Sequence, residues 1–183
     1  MNNLDLAEIC GLHAGDGYLR NDGKRIELDI SGNIEEEEFY DNHVIPLFSK
    51  FFKVRLQGRY FPTRNTYGFV IRDEKIVKFF HELGFPYGKK TLDVEIPEFI
   101  LTPENLILYG RFIRGLFDTD GTFTLGRRYS NNYTYFKRKY HYYPLIYIST
   151  NSIKLCKQVS YLLFKIGINH STCLLYTSPS PRD

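Results

Sequence analysis

The pattern Gly-Leu-x-x-x-Asp-Gly occurs twice in this chain, at residues 11–17 and again at residues 115–121. In both copies the residues after the last glycine favour a β-strand, and an Ile-Ser-x-Asn sequence follows at residues 30–33 and 148–151. An acidic residue that recurs in the same local frame indicates two related units, so one explanation must account for both copies.

Each copy of the pattern is predicted to lie at the end of a helix. Asp5-Leu6-Ala7-Glu8 has the form of a capping box that would begin the first helix. Thr102 is a natural N-cap for the second helix, with Pro103 at its first helical position. Both helices are predicted to end at the Asp-Gly pair, because Gly17 and Gly121 can terminate a helix.

The elements after each helix follow the same order. A hairpin about the Asn-Asp-Gly turn alternates apolar residues (Ile26, Leu28, Ile30) with polar ones (Arg25, Glu27, Asp29). In the first copy, this hairpin is followed by a predicted helix at about 35–52, a second hairpin over 53–72, a helix at 73–83 and a loop at 84–91. In the second copy, the corresponding predicted elements are strands at 122–130 and 142–149 and a helix at 152–166. The fold class is therefore α+β, built from helix-strand-strand-helix-strand-strand-helix units.

The repeat also predicts the organisation of the chain. Residues 1–101 form the first unit, and residues 102–172 form a second unit that we expect to be truncated, because the chain runs out where the second hairpin would begin. Residues 173–183 read CLLYTSPSPRD, which resembles the translation of a sequencing adapter, so they are predicted to be a non-native tail.

Charge is distributed unevenly between the two parts. Residues 1–105 contain 13 Lys and Arg against 18 Asp and Glu, whereas residues 106–183 contain 11 against 3. This asymmetry favours a polyanionic partner for the second part, although a solvated basic face explains the charge equally well.

Cysteine spacing and hydropathy bear on the class of protein. Three widely spaced cysteines support neither a disulfide framework nor a zinc site. No run of about 18 apolar residues occurs, and the amino terminus lacks a leader pattern. We therefore expect a soluble protein with no membrane partner in a cytoplasmic (prokaryotic) or organellar compartment.

The acids of the repeated pattern suggest a metal site. Small residues recur at i and i+4 in both predicted helices, as Gly11 with Gly15 and as Gly115 with Thr119, and small faces let two helices pack closely. Packing of this kind would place Asp16 and Asp120 side by side at helix ends that already carry partial negative charge, which suits hard divalent cations. The alternative is that each Asp-Gly pair only stops a helix.

The sequences ICGLHAGDG (9–17) and IRGLFDTDG (113–121) resemble the two motifs of the LAGLIDADG homing endonucleases, of the monomeric type associated with introns or inteins. The resemblance implies a pseudo-twofold fold with an antiparallel saddle that binds double-stranded DNA. It further implies metal-dependent double-strand breaks at a long, near-palindromic target, with Mg²⁺ or Mn²⁺ held by Asp16 and Asp120. Ala14 stands where the second motif has Asp118, but neither position is the metal-binding acid of the family.

Candidate DNA-binding residues lie outside the motifs. Alternation predicts that Arg55, Gln57 and Arg59 project from one face of a strand while Val54 and Leu56 project from the other. Further candidates are Lys89 and Lys90 in a loop, and Arg127, Arg128, Lys137, Arg138 and Lys139 in the insert between the second pair of strands. Asn33 and Asn151 occupy positions that assist the site in relatives and are weaker candidates, while His13 is predicted to be a packing residue.

Two other functions remain open on the sequence. One is a DNA-binding protein of the same fold that does not cut, such as a regulator or a splicing maturase. The other is a structural domain within a larger host such as an intein. Both acids are present, which favours cleavage, since a regulator does not need a metal site.

Overall fold

The computed structural model describes residues 2–90, 92–102, 105–129 and 140–173. The elements in chain order are α1 (Asn3–Asp16), β1 (Gly17–Asn21), β2 (Ile26–Asn33), a 3₁₀ turn (Ile34–Glu36), α2 (Glu37–Phe39), a π-helical turn (Tyr40–Val44), α3 (Ile45–Phe52), β3 (Arg59–Phe61), β4 (Thr66–Ile71), α4 (Glu74–Glu82), α5 (Glu98–Leu101), α6 (Leu106–Asp120), β5 (Gly121–Tyr129), β6 (Tyr140–Ile148) and α7 (Ile153–Lys165). This mixed architecture with antiparallel sheets confirms the predicted fold class.

Helices α1 and α6, which we call the motif helices, end where the sequence predicts and begin elsewhere. They end at Asp16 and Asp120, with Gly17 and Gly121 as C-caps. The glycines are needed for space, because a Cβ on Gly17 would overlap the imidazole ring of His13.

The predicted helix starts are wrong. The side-chain oxygen of Asn2 accepts a hydrogen bond from the Leu4 amide, so α1 begins before the proposed capping box and Glu8 lies inside the helix. Thr102 is the C-cap of the short helix α5, and Asn105 caps α6 instead by accepting from two backbone amides. Pro103 lies outside the described residues. Several polar residues near each start compete for the cap, and local sequence does not select among them.

The motif helices pack directly on each other through their glycines. A Cβ on Gly11 would lie 2.8 Å from the backbone nitrogen of Leu116, and a Cβ on Gly115 would lie 2.8 Å from that of Leu12. The two contacts are reciprocal, as expected for helices related by a pseudo-twofold axis. The prediction that small residues bring these helices together is confirmed.

A buried ion-pair cluster lies in the same interface. The carboxylate of Glu8, which is 1% exposed, lies 2.7 Å from Nη1 of Arg111 and 2.6 Å from Nε2 of His43. A buried carboxylate requires such partners to offset the loss of its hydration. The cluster links α1 to α6 and to the π-helical turn.

The first sheet has the strand order β1-β2-β4-β3, and all its neighbouring strands are antiparallel. Its core face consists of apolar side chains that pack against the helical segment at 34–52 and against α4: Leu19, Leu28, Ile30, Phe69 and Ile71. Its opposite face carries polar side chains such as Arg20, Glu27 and Asp29. The predicted alternation in this hairpin is confirmed.

Strand β3 is shorter than the sequence suggests. Pairing with β4 ends at Arg59 opposite Gly68, so residues 54–58 are not part of a ladder. Exposure still alternates along this segment, with Arg55 and Gln57 exposed and with Val54 and Leu56 packed against the core. The prediction of the facing was correct, whereas the prediction of a regular strand was wrong.

The second sheet pairs β5 with β6 from Gly121 opposite Ile148 to Tyr129 opposite Tyr140. Phe123 lies opposite Ile146, and this pair corresponds to Leu19 opposite Leu28 in the first sheet. Leu19 and Leu28 are buried, whereas Phe123 is 59% exposed and Ile146 is 67% exposed. The boundaries at 101 and 172 and the truncation of the second unit stay predictions.

Helix α7 and the segment between the units are joined by polar contacts. Ser152, the N-cap of α7, donates from its hydroxyl to the carbonyl of Val94, and Gln158 accepts from the amide of Ile96. Leu155, Val159 and Leu162 are buried on the inner side of this helix. No helix among the described residues is long and apolar enough to cross a membrane.

Candidate active site

The packing of the motif helices brings their C-terminal ends together. A Cβ on Gly15 would lie 2.6 Å from Cβ of Thr119 and 3.4 Å from Cγ of Asp120. Gly15 directly precedes Asp16, so the two carboxylates predicted to bind metal lie at one site. Both are partly buried, at the ends of helices whose last carbonyls carry partial negative charge.

Asp16 has a defined environment. The hydroxyl of Tyr40 donates a hydrogen bond of 2.7 Å to Oδ2 of Asp16. Burial raises the pKa of Asp16 to about 6, the hydrogen bond from Tyr40 opposes this rise, and the nearby carboxylates of Glu36 and Asp120 add to it. Burial also raises the pKa of Asp120, against the effect of Lys90.

Lys90 is a cation near both acids, since Asp120 and Asp16 each raise its pKa. Its Nζ donates to the carbonyl of His13 and, at 2.6 Å, to the carbonyl of Gly15, near the end of α1. Burial lowers the pKa of Lys90 to about 8, while Asp120 and Asp16 act in the opposite direction.

The two loop lysines therefore have different environments. Lys89 is exposed, whereas Lys90 is partly covered and lies at the carboxylate site. The prediction that both lysines contact DNA stays a prediction. Sequence offered no means of separating two adjacent lysines in one loop, because the difference depends on contacts with residues more than 70 positions away.

Glu36 is a third acid at this site, which the sequence analysis missed. A Cβ on Gly32 would lie 2.7 Å from Oδ2 of Asp16 and would overlap the Glu36 carboxylate, so the absence of a side chain at Gly32 keeps this space open. Burial raises the pKa of Glu36. The run of four glutamates at 35–38 was the only signal, and such a run usually forms a solvated face.

The described part of the chain offers no ready-made cluster of metal-binding side chains. Within the described residues, no group of three or more His, Cys, Asp or Glu side chains is placed to hold a metal ion. Asp16 and Asp120 are therefore the proposed side-chain ligands of a cation at this site, and its other ligands would be backbone oxygens, water or phosphate oxygens. Asn33 is occupied elsewhere, since its side chain caps the 3₁₀ turn by accepting from the amide of Glu35.

The remaining candidate residues lie away from the acids. Arg55, Gln57 and Arg59 are exposed, and the Arg59 guanidinium lies 4.6 Å from the centroid of the Phe61 ring. Asn151 is exposed. Arg127 and Arg128 belong to β5, but their side chains are outside the described part of the structure. Lys137, Arg138 and Lys139 lie outside the described residues altogether.

His13 is a packing residue, as predicted. Its ring lies 4.8 Å from that of Phe80 and 4.4 Å from that of Phe85, measured between centroids. Burial holds its pKa well below the usual range, with a further contribution from Lys90. Nδ1 has no hydrogen-bond partner, so this histidine is neutral inside the fold.

Two packed helices, each ending in a carboxylate and each leading into an antiparallel sheet, define the architecture of LAGLIDADG proteins. Residues 108–172 match the model of the LAGLIDADG-like domain. The resemblance seen in the motifs is thereby confirmed, and the chain has the fold of the LAGLIDADG homing endonucleases.

Solved structures of this fold match most of the chain. A variant of I-DmoI in complex with its target DNA and manganese superposes with a TM-score of 0.58 at 20% identity, over 90% of this chain and 76% of that one. I-DmoI in complex with DNA and calcium gives 0.58 at 20% identity, over 91% and 74%. The LAGLIDADG homing endonuclease I-LtrWI, bound to target DNA, gives 0.56 at 14% identity, over 88% and 72%. No sequence among the curated proteins matches this chain.

Proposed function

We propose that this protein is a homing endonuclease that hydrolyses both strands of a long, near-palindromic DNA target in a reaction that depends on Mg²⁺ or Mn²⁺. The observation that carries the proposal is the meeting of Asp16 and Asp120, with Lys90 beside both, at the ends of two closely packed helices. The solved relatives are described with target DNA and with manganese or calcium, which supports the same class of substrate and cofactor.

The residues present fit a hard divalent cation. Burial raises the pKa of Asp16, and the nearby carboxylates of Glu36 and Asp120 raise it further, so ionised acids at this site repel one another. A cation with a preference for oxygen relieves this repulsion. When bound, such an ion polarises the scissile phosphate and activates a water molecule.

The residues of the chain have separate roles in this mechanism. Asp16 and Asp120 hold the cation, and Tyr40 fixes the orientation of the Asp16 carboxylate through its hydrogen bond. Lys90 carries a positive charge at neutral pH, because its pKa is about 8. This charge stabilises the additional negative charge that develops on the phosphate during in-line attack. A nucleophilic side chain is not required.

The polar face of the first sheet is the proposed DNA surface of the first unit. Arg59 and the exposed Arg55 and Gln57 lie on or next to this sheet and supply donors for base edges and phosphates. We propose that the basic second part binds the other half of the target and that the chain acts as a monomer in a cytoplasmic or organellar compartment.

The alternative is a DNA-binding protein of this fold that does not cleave. It is less favoured, because a protein that only binds DNA has no use for two adjacent carboxylates whose pKa values are both raised by burial.

The test of the proposal is the variant Asp120→Asn, assayed on DNA that the wild-type protein binds and cuts with Mg²⁺. The variant should lose double-strand cleavage and keep DNA binding, because it removes a cation ligand without removing a DNA contact. The matched control is Asp118→Asn on the same helix, since Asp118 pairs with Arg114 at 3.7 Å. This control should retain cleavage. Unchanged cutting by Asp120→Asn would refute the assigned role.

A further inference from the structure

The polar face of the first sheet carries a connected group of side chains that the cleavage chemistry does not use. Asp29, on β2, is 8% exposed although it lies on the side of the strand opposite the core. Both of its carboxylate oxygens are occupied: Oδ1 accepts from the hydroxyl of Ser31 at 2.9 Å, and Oδ2 lies 2.9 Å from Nη1 of Arg64. Asp29 is therefore covered by its own partners.

Arg64 is restrained from a second direction. It lies in the turn between β3 and β4, where its amide donates to the carbonyl of Phe61 at 3.1 Å. Its guanidinium carbon lies 4.5 Å from the centroid of the Phe61 ring, and that of Arg59 lies 4.6 Å from the same centroid. Two guanidinium groups thus stack on one aromatic ring, and the carboxylate of Asp29 offsets part of the repulsion between them.

The restraint leaves donors free. A guanidinium group has five N–H bonds in a planar fork; Asp29 engages Nη1, while the Arg64 side chain remains 45% exposed. A surface arginine without such support loses side-chain conformational entropy when it binds DNA. Arg64 is already restrained in the free protein, so it loses less entropy on binding.

The position and the charge of Asp29 favour bases over phosphates. A fixed guanidinium fork matches the O6 and N7 acceptors of guanine in the major groove. A carboxylate directly beside it opposes the approach of a phosphate, which a free arginine would bind without regard to sequence.

We infer that Asp29 is a positioning residue that holds Arg64 as a reader of guanine in one half of the DNA target. The inference rests on the proposed DNA-binding function and deepens it, because it assigns sequence discrimination to a particular pair of residues. Phe61 and Arg59 support the arrangement by stacking.

The experiment is selection of bound duplexes from a randomised DNA library by the full chain, followed by measurement of base preference at each position. The wild-type protein should enrich a defined sequence with guanine at one position read by Arg64. Asp29→Asn and Arg64→Lys should each lower the guanine preference at that position about tenfold, in line with the worth of one bidentate pair. Affinity for unrelated DNA should not fall, because Arg64→Lys keeps the charge and Asp29→Asn removes a negative one.

The matched control is Glu27→Gln on the same strand and the same face. Glu27→Gln changes the net charge by the same amount as Asp29→Asn. The ion pairs of Glu27 are with Arg20 at 3.8 Å and with Arg72 at 3.6 Å, whereas Asp29 pairs with Arg64. The Glu27→Gln variant should show the same base preference as the wild type at the DNA position that Arg64 reads. Because Arg64 is exposed, Arg64→Lys keeps the test valid even if Asp29→Asn fails to fold.

The outcomes separate this inference from the proposed function. Identical base preferences at every position for the wild type, Asp29→Asn and Arg64→Lys would overturn the inference and leave the proposed function intact. A wild-type protein that enriches no sequence would overturn both.

Discussion

The hydroxyl of Tyr40 donates a hydrogen bond of 2.7 Å to Oδ2 of Asp16, across 24 residues of sequence. Tyr40 is 1% exposed and begins the π-helical turn, so its ring is fixed by the core while its hydroxyl reaches the carboxylate site. Burial and the proximity of Asp16 raise the pKa of Tyr40, which keeps it a donor throughout the physiological range. The relationship couples the core of the first unit to the proposed cation ligand.

Tyr40→Phe should weaken the binding of divalent cations, and more strongly at pH 6 than at pH 8. The hydrogen bond from Tyr40 lowers the pKa of Asp16, so its loss raises that pKa further above the present value of about 6. A cation then competes with a proton for the carboxylate near pH 6, but not at pH 8. Calorimetric titration with Mg²⁺ or Ca²⁺ at both pH values measures the effect, expected to be several-fold at pH 6.

Tyr60→Phe is the control for this prediction. The hydroxyl of Tyr60 donates to Oδ1 of Asn65 at 2.8 Å on the exposed hairpin, away from the carboxylate site. Its cation affinity should match the wild type at both pH values. Equal affinity at pH 6 for Tyr40→Phe would show that the hydrogen bond does not tune Asp16.

Without divalent cations, the contribution of Asp16 to stability should fall as the pH rises from about 4 to about 6, so Asp16→Asn should gain stability relative to the wild type over this range. The pKa of Asp16 is raised from 3.8 to about 6 in the folded state, so the folded protein binds more protons than the unfolded chain in this window. The contribution of Asp16 is therefore fully present below its unfolded pKa and lost as the pH passes 6. At pH 7.5 Asp16→Asn should be more stable than the wild type by on the order of 1–3 kcal/mol.

Thermal unfolding from pH 4 to 8, with EDTA and with Mg²⁺, measures this effect. Mg²⁺ should raise the Tm of the wild type at pH 7.5 and should raise that of Asp16→Asn much less. Asp22→Asn is the control, because hydrogen bonds from Arg25 and Arg20 hold the pKa of Asp22 at about 2, below the window. A stability difference between the wild type and Asp16→Asn that stays constant from pH 4 to 8 would contradict the prediction.

Gly115→Ala should destabilise the fold by about 3 kcal/mol, in the range of overpacking in a rigid interface. The new Cβ would lie 2.8 Å from the backbone nitrogen of Leu12 and would overlap the carbonyl of Glu8, neither of which can move without separating the motif helices. Gly110→Ala, in the same helix, meets nothing within 4 Å. It should stabilise by up to about 1 kcal/mol through helix propensity. Urea unfolding of both variants measures the contrast, and equal stabilities would show that the close helix contact is not required.

Lys90→Met should slow cleavage by about 10²-fold while DNA binding changes little. The substitution keeps an apolar stem of similar length and removes the positive charge beside Asp16 and Asp120, and loss of one electrostatic donor to a transition state has an effect of this size. Lys89→Met, at the adjacent exposed position, should cut normally. Single-turnover cleavage and a binding titration in Ca²⁺ separate the two effects, and similar cleavage by both variants would place Lys90 outside the mechanism.

Much of the architecture follows from local pattern. The Asp-Gly ends of α1 and α6, the alternation in the first hairpin and the helix at 74–82 are all set by periodicity or by residues within a few positions of one another. The small faces around Gly11 and Gly115 also predicted the packing of the motif helices, because their absence of side chains is itself the reason the backbones can approach.

The tertiary structure alone decided which of several equivalent residues does what. Lys90 rather than Lys89 reaches the carbonyl of Gly15, Glu36 alone of four consecutive glutamates borders Asp16, and Arg64 pairs with Asp29 across 35 residues. Local sequence does not distinguish these residues from their neighbours, since each role depends on burial and on the charge of groups brought together only when distant segments pack. The sequence by itself determined where the two carboxylates stand in the chain, and the fold determined the charges and hydrogen bonds that surround them.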